Sequence, residues 1–303
     1  MVYGLLAYLL WGLFPAFFPL LLPAGPVEIL AHRVVWTAVI MTVVLTFLGG
    51  WRELRQASGR TWLQLIAAGV LISSNWGIYI LAVNTNHVAD AALGYFINPL
   101  LSVVLAVVFL RERLNRLQLV SVSIAAVGVI QLTFLSGQAP VMALAMAITF
   151  GLYGLVKKQV QVSATASLTA ETLVIAPLGL VFIIWLESTG QGTFVSEGPL
   201  HSTLLVVSGL ITMIPLLLFG MAAKRLPLST IGMIQYMTPT MQMLWALFIT
   251  QEHLSPARWA GFIIIWVAVA VYLFDLTRRA RRARKRDEPR SVPTRHPVEV
   301  PQQ

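Results

Sequence analysis

The sequence predicts an all-α integral membrane protein with ten transmembrane helices arranged as two inverted five-helix repeats. Three observations carry that expectation: the composition, ten long apolar runs, and an internal repeat whose charges change sides. Of 303 residues, 57% are hydrophobic and only 11% charged. A soluble domain carries about a quarter charged residues, so a soluble enzyme could not cover its surface with polar groups. The chain has no cysteine, which excludes disulfides, thiolate catalysis and zinc–thiolate sites.

The apolar runs cover about residues 2–22, 27–48, 62–83, 89–110, 117–134, 140–156, 168–186, 203–222, 228–250 and 257–274. Each approaches the roughly 20 residues that one helical span requires. All are longer than a barrel strand of about ten alternating residues, so they are helices. The first run has no basic n-region and no clear cleavage site and is expected to be a retained span. The second follows a Pro23–Pro26 turn, and the third follows Arg60. The fourth opens on Asp90, an acid that suits a helix N-terminus. Arg111, Arg113 and Arg116 precede the fifth, while Lys157 and Lys158 close the sixth. The seventh carries Glu171, the eighth ends at Lys224 and Arg225, the ninth contains Pro239, and the tenth leads into a basic tail.

Lysine and arginine placement sets the orientation. Nineteen of the 21 basic residues lie in alternate loops and the tail, with Arg258 on the other side and Arg33 inside a span. Both termini are therefore expected in the cytoplasm, with the chain in the plasma (inner) membrane. Nine basic residues between Arg278 and Arg295 form a tail rather than a nucleic-acid groove. That tail, residues 277–303, is expected to be disordered and to lie on anionic lipid.

A shift of 140 residues pairs Ala82 with Ala222, Pro99 with Pro239, Ala106 with Ala246, Glu112 with Glu252, Val127 with Val267 and Phe134 with Phe274. A shift of 139 aligns Trp11-Gly12-Leu13 with Phe150-Gly151-Leu152. Residues 1–135 and 136–276 then hold five spans each, and an odd number makes the second repeat insert upside down. The charges agree, because Arg111, Arg113 and Arg116 correspond to Gln251, His253 and Pro256. Inverted repeats place a transporter's substrate site near the midplane between the halves.

The segment Glu28-Ile29-Leu30-Ala31-His32-Arg33-Val34-Val35-Trp36 resembles the signature of the RarD family, in the EamA branch of the drug/metabolite transporter superfamily. So do Asn75-Trp76-Gly77, Ala82-Val83-Asn84, Leu93-Gly94-Tyr95-Phe96-Ile97-Asn98-Pro99-Leu100, and Leu228–Gly232 with Gln235-Tyr236. The resemblance covers residues 1–276 as two EamA-like repeats. It implies a secondary transporter moving a small organic solute by alternating access, as an exporter. The alternatives are an uncoupled facilitator, or an intramembrane enzyme using Glu28 and His32 as acid and base.

Polar residues inside a span are expensive and mark functional sites. Glu28 and His32 share a helix face. With Arg33 beside them they form a candidate substrate and proton site, Glu28 pairing with Arg33. Glu171, a lone acid in its run, is a third proton-coupling candidate. Tyr95, Asn98 and Pro99 in the fourth run match Gln235, Tyr236 and Pro239 in the ninth, each proline freeing a carbonyl. Asn75, Trp76 and Tyr79 add an amide between aromatics. The other reading makes Asn98 and Gln235 interhelical glue and Trp76 a packing residue, while Trp11 and Phe150, beside Gly12 and Gly151, are expected to pack. No Walker A loop, HExxH or GxSxG occurs, and histidines 32, 87, 201, 253 and 296 are scattered. No cofactor, metal or nucleic acid is expected.

Overall fold

A computed structural model describes the backbone of residues 1–85, 88–136, 141–249, 251 and 255–287, with the side chains of 83, 84, 88–91, 136 and 280–287 excepted. The capping role expected of Asp90, and His87 and His253, lie outside the described side chains.

No strand occurs among the described residues. The first run is α1 (Val2–Gly12), a short α2 (Phe14–Phe17) and a 3-10 turn (Phe18–Leu21). Pro15 and Pro19 each remove a backbone donor, which prevents one continuous helix there. There follow α3 (Pro26–Phe47), with proline at its first turn, the short α4 (Trp51–Arg55), α5 (Gly59–Asn84) and α6 (Val88–Phe109). Next come α7 (Arg116–Ser136), α8 (Val141–Gln159), α9 (Ala164–Ser188) and α10 (Gly198–Arg225). The Ser163 hydroxyl accepts from the Ala166 N–H and caps α9. The chain ends with α11 (Leu228–Gln235), α12 (Met237–Phe248) and α13 (Pro256–Asp287).

Among the described residues, nine segments are long and apolar enough to cross a membrane. The run 228–250 is not one of them, because it breaks at Tyr236 into α11 and α12. Pro239 has no N–H to give the Gln235 carbonyl four residues back. Pro99, its repeat mate, sits inside an unbroken α6. The last helix also runs past residue 276 to Asp287, into the segment expected to form the tail. Neither Gly nor Pro occurs between Gly261 and Pro289, and Ala, Arg and Lys favour helix. Arg279 Nε reaches Asp275 Oδ2 at 3.1 Å along that stretch.

The helix contacts survive exchange of the two halves of the chain. α6 against α8 answers α1 against α11 and α12; α3 against α10 answers α5 against α9; α5 against α8 answers α1 against α10. α3 packs on α9, α6 on α11 and α7 on α13, each joining repeat mates. Backbones approach closely where glycine permits. A Cβ on Gly209 would collide with Trp36 Cβ, and one on Gly232 would stand 2.7 Å from the Pro99 carbonyl oxygen. Outward, Phe47, Phe109, Phe134, Leu178 and Phe248 are exposed. Such a surface suits lipid, and helices satisfy most of their own backbone groups, as the bilayer requires. The molecule is an all-α integral membrane protein.

Candidate functional site

A cavity of about 870 Å³ opens between α1, α3, α5 and α6 of the first half and α8, α11 and α12 of the second. Its lining reaches Pro19, Pro26, Ile80, Ala92 and Ile249, which all lie at one end of the bundle. Lys157, Lys224 and Arg225 terminate α8 and α10 at the opposite end.

Arg33 is the cavity's charged wall. Its Nε donates to Thr212 Oγ1 at 2.9 Å. Its guanidinium carbon stands 5.0 Å from the Trp76 ring centroid, 5.1 Å from Phe18 and 5.6 Å from Phe14. The expected pair with Glu28 is not formed. Five residues on a helix are about 140° apart, so the two side chains leave α3 on different faces. Glu28 Oε1 instead accepts from Thr193 N at 2.7 Å and Thr193 Oγ1 at 3.0 Å. Thr193 Oγ1 also lies 2.8 Å from His201 Nε2.

His32 Nδ1 accepts from Trp36 Nε1 at 3.2 Å. An indole only donates, so the neutral ring carries its proton on Nε2. That buried nitrogen has no partner. The ring stacks on Phe194 at 4.8 Å between centroids. Glu28 and His32 are buried behind the cavity wall rather than lining it.

Asn75, Trp76, Tyr79, Tyr95, Asn98 and Gln235 all line the same cavity as Arg33. Asn75 Nδ2 is used structurally, donating to the Met146 carbonyl at 2.8 Å and Thr149 Oγ1 at 3.1 Å. Tyr79 and Tyr95 are tilted together at 6.5 Å. Asn98 Oδ1 and Gln235 Oε1 are buried and have no hydrogen-bond partner, and neither does the hydroxyl of Tyr8, another lining residue. Buried polar atoms are normally satisfied, so such orphans mark places where a ligand or water binds. Pro99 and Pro239 also free the carbonyls of Tyr95 and Gln235, which are 140 residues apart and share this cavity.

Tyr236 is placed elsewhere. It is buried in the core with Tyr272 and Met233, a helix step away from Gln235, and its hydroxyl is unpartnered. Glu171 is neither lone nor in the cavity. Lys157 Nζ lies 2.7 Å from its Oε1, Tyr153 OH donates to Oε2 at 3.2 Å, and Ser167 Oγ bonds Oε1. Lys157, which the apolar runs assigned to a loop, is buried because α9 starts beside the last turn of α8.

Sequence reasoning gave Trp11 and Phe150 to packing, yet they line the cavity as an edge-to-face pair 5.8 Å apart. Phe14 and Phe18 were missed altogether. Their only signal was the four-residue spacing around Pro15.

The sequence pattern of the EamA-like transporter family matches residues 1–134 and 138–274. The chain belongs to that family. Within it, Protein RarD of Streptomyces exfoliatus is 45% identical over 95% of this chain and 92% of its own length. Protein RarD of Escherichia coli K12 is 36% identical over 93% of this chain and 96% of its own. An uncharacterized transporter of Bacillus subtilis strain 168 is 42% identical over 93% and 96%. These likenesses place the chain in the RarD group. A solved crystal structure shares the fold, with a TM-score of 0.70 at 19% identity over 89% of this chain and 95% of that one.

Proposed function

We propose that this EamA-family membrane protein is a secondary transporter that exports a small organic solute across the plasma (inner) membrane by alternating access. The observation that carries the reading is the cavity itself. Both halves of the chain build it, and two residues of its wall, Asn98 and Gln235, carry buried amide oxygens without a hydrogen-bond partner. Substrate contact is assigned to Arg33, Asn75, Trp76, Tyr79, Tyr95, Asn98 and Gln235. Ten spans in two inverted repeats, with both termini cytoplasmic, make the mouth at Pro26 and Ile249 the outer one. The chain has no nucleotide-binding loop, so the reading draws its energy from a gradient rather than from ATP.

The relatives' names support a transporter rather than an enzyme. An intramembrane enzyme built on Glu28 and His32 is disfavoured, because Thr193 and Trp36 occupy those groups and neither reaches the cavity. An uncoupled facilitator would use the same cavity. Flux of candidate solutes in proteoliposomes, with and without an imposed pH gradient, tests the reading. Gradient-driven accumulation is expected, equilibration alone identifies a facilitator, and no flux of any small solute sinks the proposal.

A further inference from the structure

We infer that the cavity selects a net monoanion: a carboxylate or equivalent anion on an aromatic or apolar body that also carries a neutral hydrogen-bond donor. This rests on reading the cavity as the transport site and adds the charge class of the cargo.

The charge argument begins with what faces Arg33. A guanidinium has five N–H donors and remains charged. Its Nε is taken by Thr212, and its flat face by Phe14, Phe18 and Trp76. Among the described residues, no carboxylate lies within ion-pair distance of it, and the two ion pairs present are Lys157–Glu171 and Arg279–Asp275. Among the described residues, no Asp or Glu lines the cavity. Ring faces attract a cation but do not replace a counter-ion, and an uncompensated charge away from water is costly. The described wall therefore carries one formal positive charge awaiting an anion. A ligand of net charge minus one neutralises it. A zwitterion leaves the total unchanged, and a cation adds to it.

The second feature is independent of charge. Asn98 Oδ1 and Gln235 Oε1 are acceptors without donors. A ligand N–H or O–H reaching them would satisfy them, and a hydroxyl or amide does so without spoiling the charge balance. The third feature is the wall. Trp11, Trp76, Tyr95, Phe150 and Trp245 surround the space, so the body between the two polar ends is apolar and suits a planar ring.

Four probes on one skeleton separate these features: phenyllactate (anion with hydroxyl), phenylpropionate (anion without donor), phenylalanine (zwitterion) and phenylalaninol (cation with hydroxyl). Binding to the full chain in nanodiscs is read by quenching of tryptophan fluorescence. Phenyllactate is expected to bind about tenfold or more tighter than phenylalanine and phenylalaninol, and more tightly than phenylpropionate. Arg33→Gln should erase the preference for anions, while Arg33→Lys, which keeps the charge, should retain it. Both variants are first checked for normal size-exclusion profiles. Equal or tighter binding of the zwitterion or the cation overturns the inference. So does an anion preference that survives Arg33→Gln, or a failure of all four probes to bind. Counterflow in proteoliposomes tests the underlying reading separately: preferential binding of phenyllactate without passage leaves the charge class standing and removes the transport assignment.

Discussion

Lys157 Nζ and Glu171 Oε1 form a 2.7 Å ion pair in which each side chain is only 1% exposed. The pair lies at the end of the bundle opposite the cavity mouth. The repeat makes this position informative. A shift of 139 residues sets Tyr153 and Lys157 on Phe14 and Phe18, the rings that hold Arg33, and a shift of 140 brings Glu171 within two residues of Arg33. These shifts set the Lys157–Glu171 end of the second half against the mouth end of the first in the sequence.

Removing one partner of a buried pair leaves a bare charge, whereas removing both is often tolerated. Lys157→Met alone should destabilise the protein by about 3–5 kcal/mol, and Lys157→Met with Glu171→Leu should recover most of that loss. Thermal unfolding in detergent measures both. If the pair also holds that end closed, the double variant should show less outside labelling of a cysteine at Ile80, which lines the mouth. Unchanged labelling would reduce the pair to a structural tie.

Asn98 and Gln235 should separate stability from transport. An orphaned buried acceptor gains nothing for the fold, and its apolar replacement removes a desolvation cost of about 1–3 kcal/mol. Asn98→Leu and Gln235→Leu should therefore unfold at the same or a higher temperature and lose most of their flux. Normal flux in both would move the binding site elsewhere.

How much of this was visible in the sequence follows from what a bilayer penalises. Arg33, Asn75, Tyr95, Asn98 and Gln235 stood out because polar groups are expensive in hydrocarbon, and the fold gathers them round one cavity. The partners of charged groups were not visible. Glu28 turns to Thr193, 165 positions away, and Glu171 to Lys157. Those contacts come from helix packing, which local spacing does not report. Tyr236 was grouped with its neighbour Gln235, but a helix step of about 100° carries it into the core. Phe14 and Phe18 looked like ordinary span residues, since an aromatic is inexpensive anywhere in lipid. The break at Tyr236 was open to prediction from Pro239, but the same logic would also break α6 at Pro99, where the helix continues.

Orientation can be tested on a background without native cysteine. Thr85 and Gln191 are exposed at the end that holds the cavity mouth, and Arg113 and Gln161 are exposed at the other. Cysteines at Thr85 and Gln191 should react with an impermeant maleimide on intact cells. Those at Arg113 and Gln161 should react only after permeabilisation, as the distribution of basic residues requires. Outside labelling at Arg113 would overturn the inverted ten-span arrangement.

The last prediction concerns energy coupling through Glu28. Its Oε1 accepts from the backbone and hydroxyl of Thr193, and that hydroxyl touches His201 Nε2, so two titratable groups meet through one threonine. Glu28→Gln keeps an oxygen acceptor and nearly the same shape while removing the charge. If protonation of this carboxylate drives the cycle, the variant should lose pH-gradient-driven flux yet keep substrate exchange at zero gradient. Thr193→Val, which deletes the hydroxyl but keeps the backbone donor, should weaken the link to His201 and reduce gradient-driven flux with less effect on exchange. A purely structural tie behaves differently: both activities would fall together, in proportion to folded abundance. Comparing the two fluxes at matched protein levels decides between them. Full gradient-driven transport by Glu28→Gln would take Glu28 out of the coupling mechanism and leave it as the anchor of the loop at Thr193.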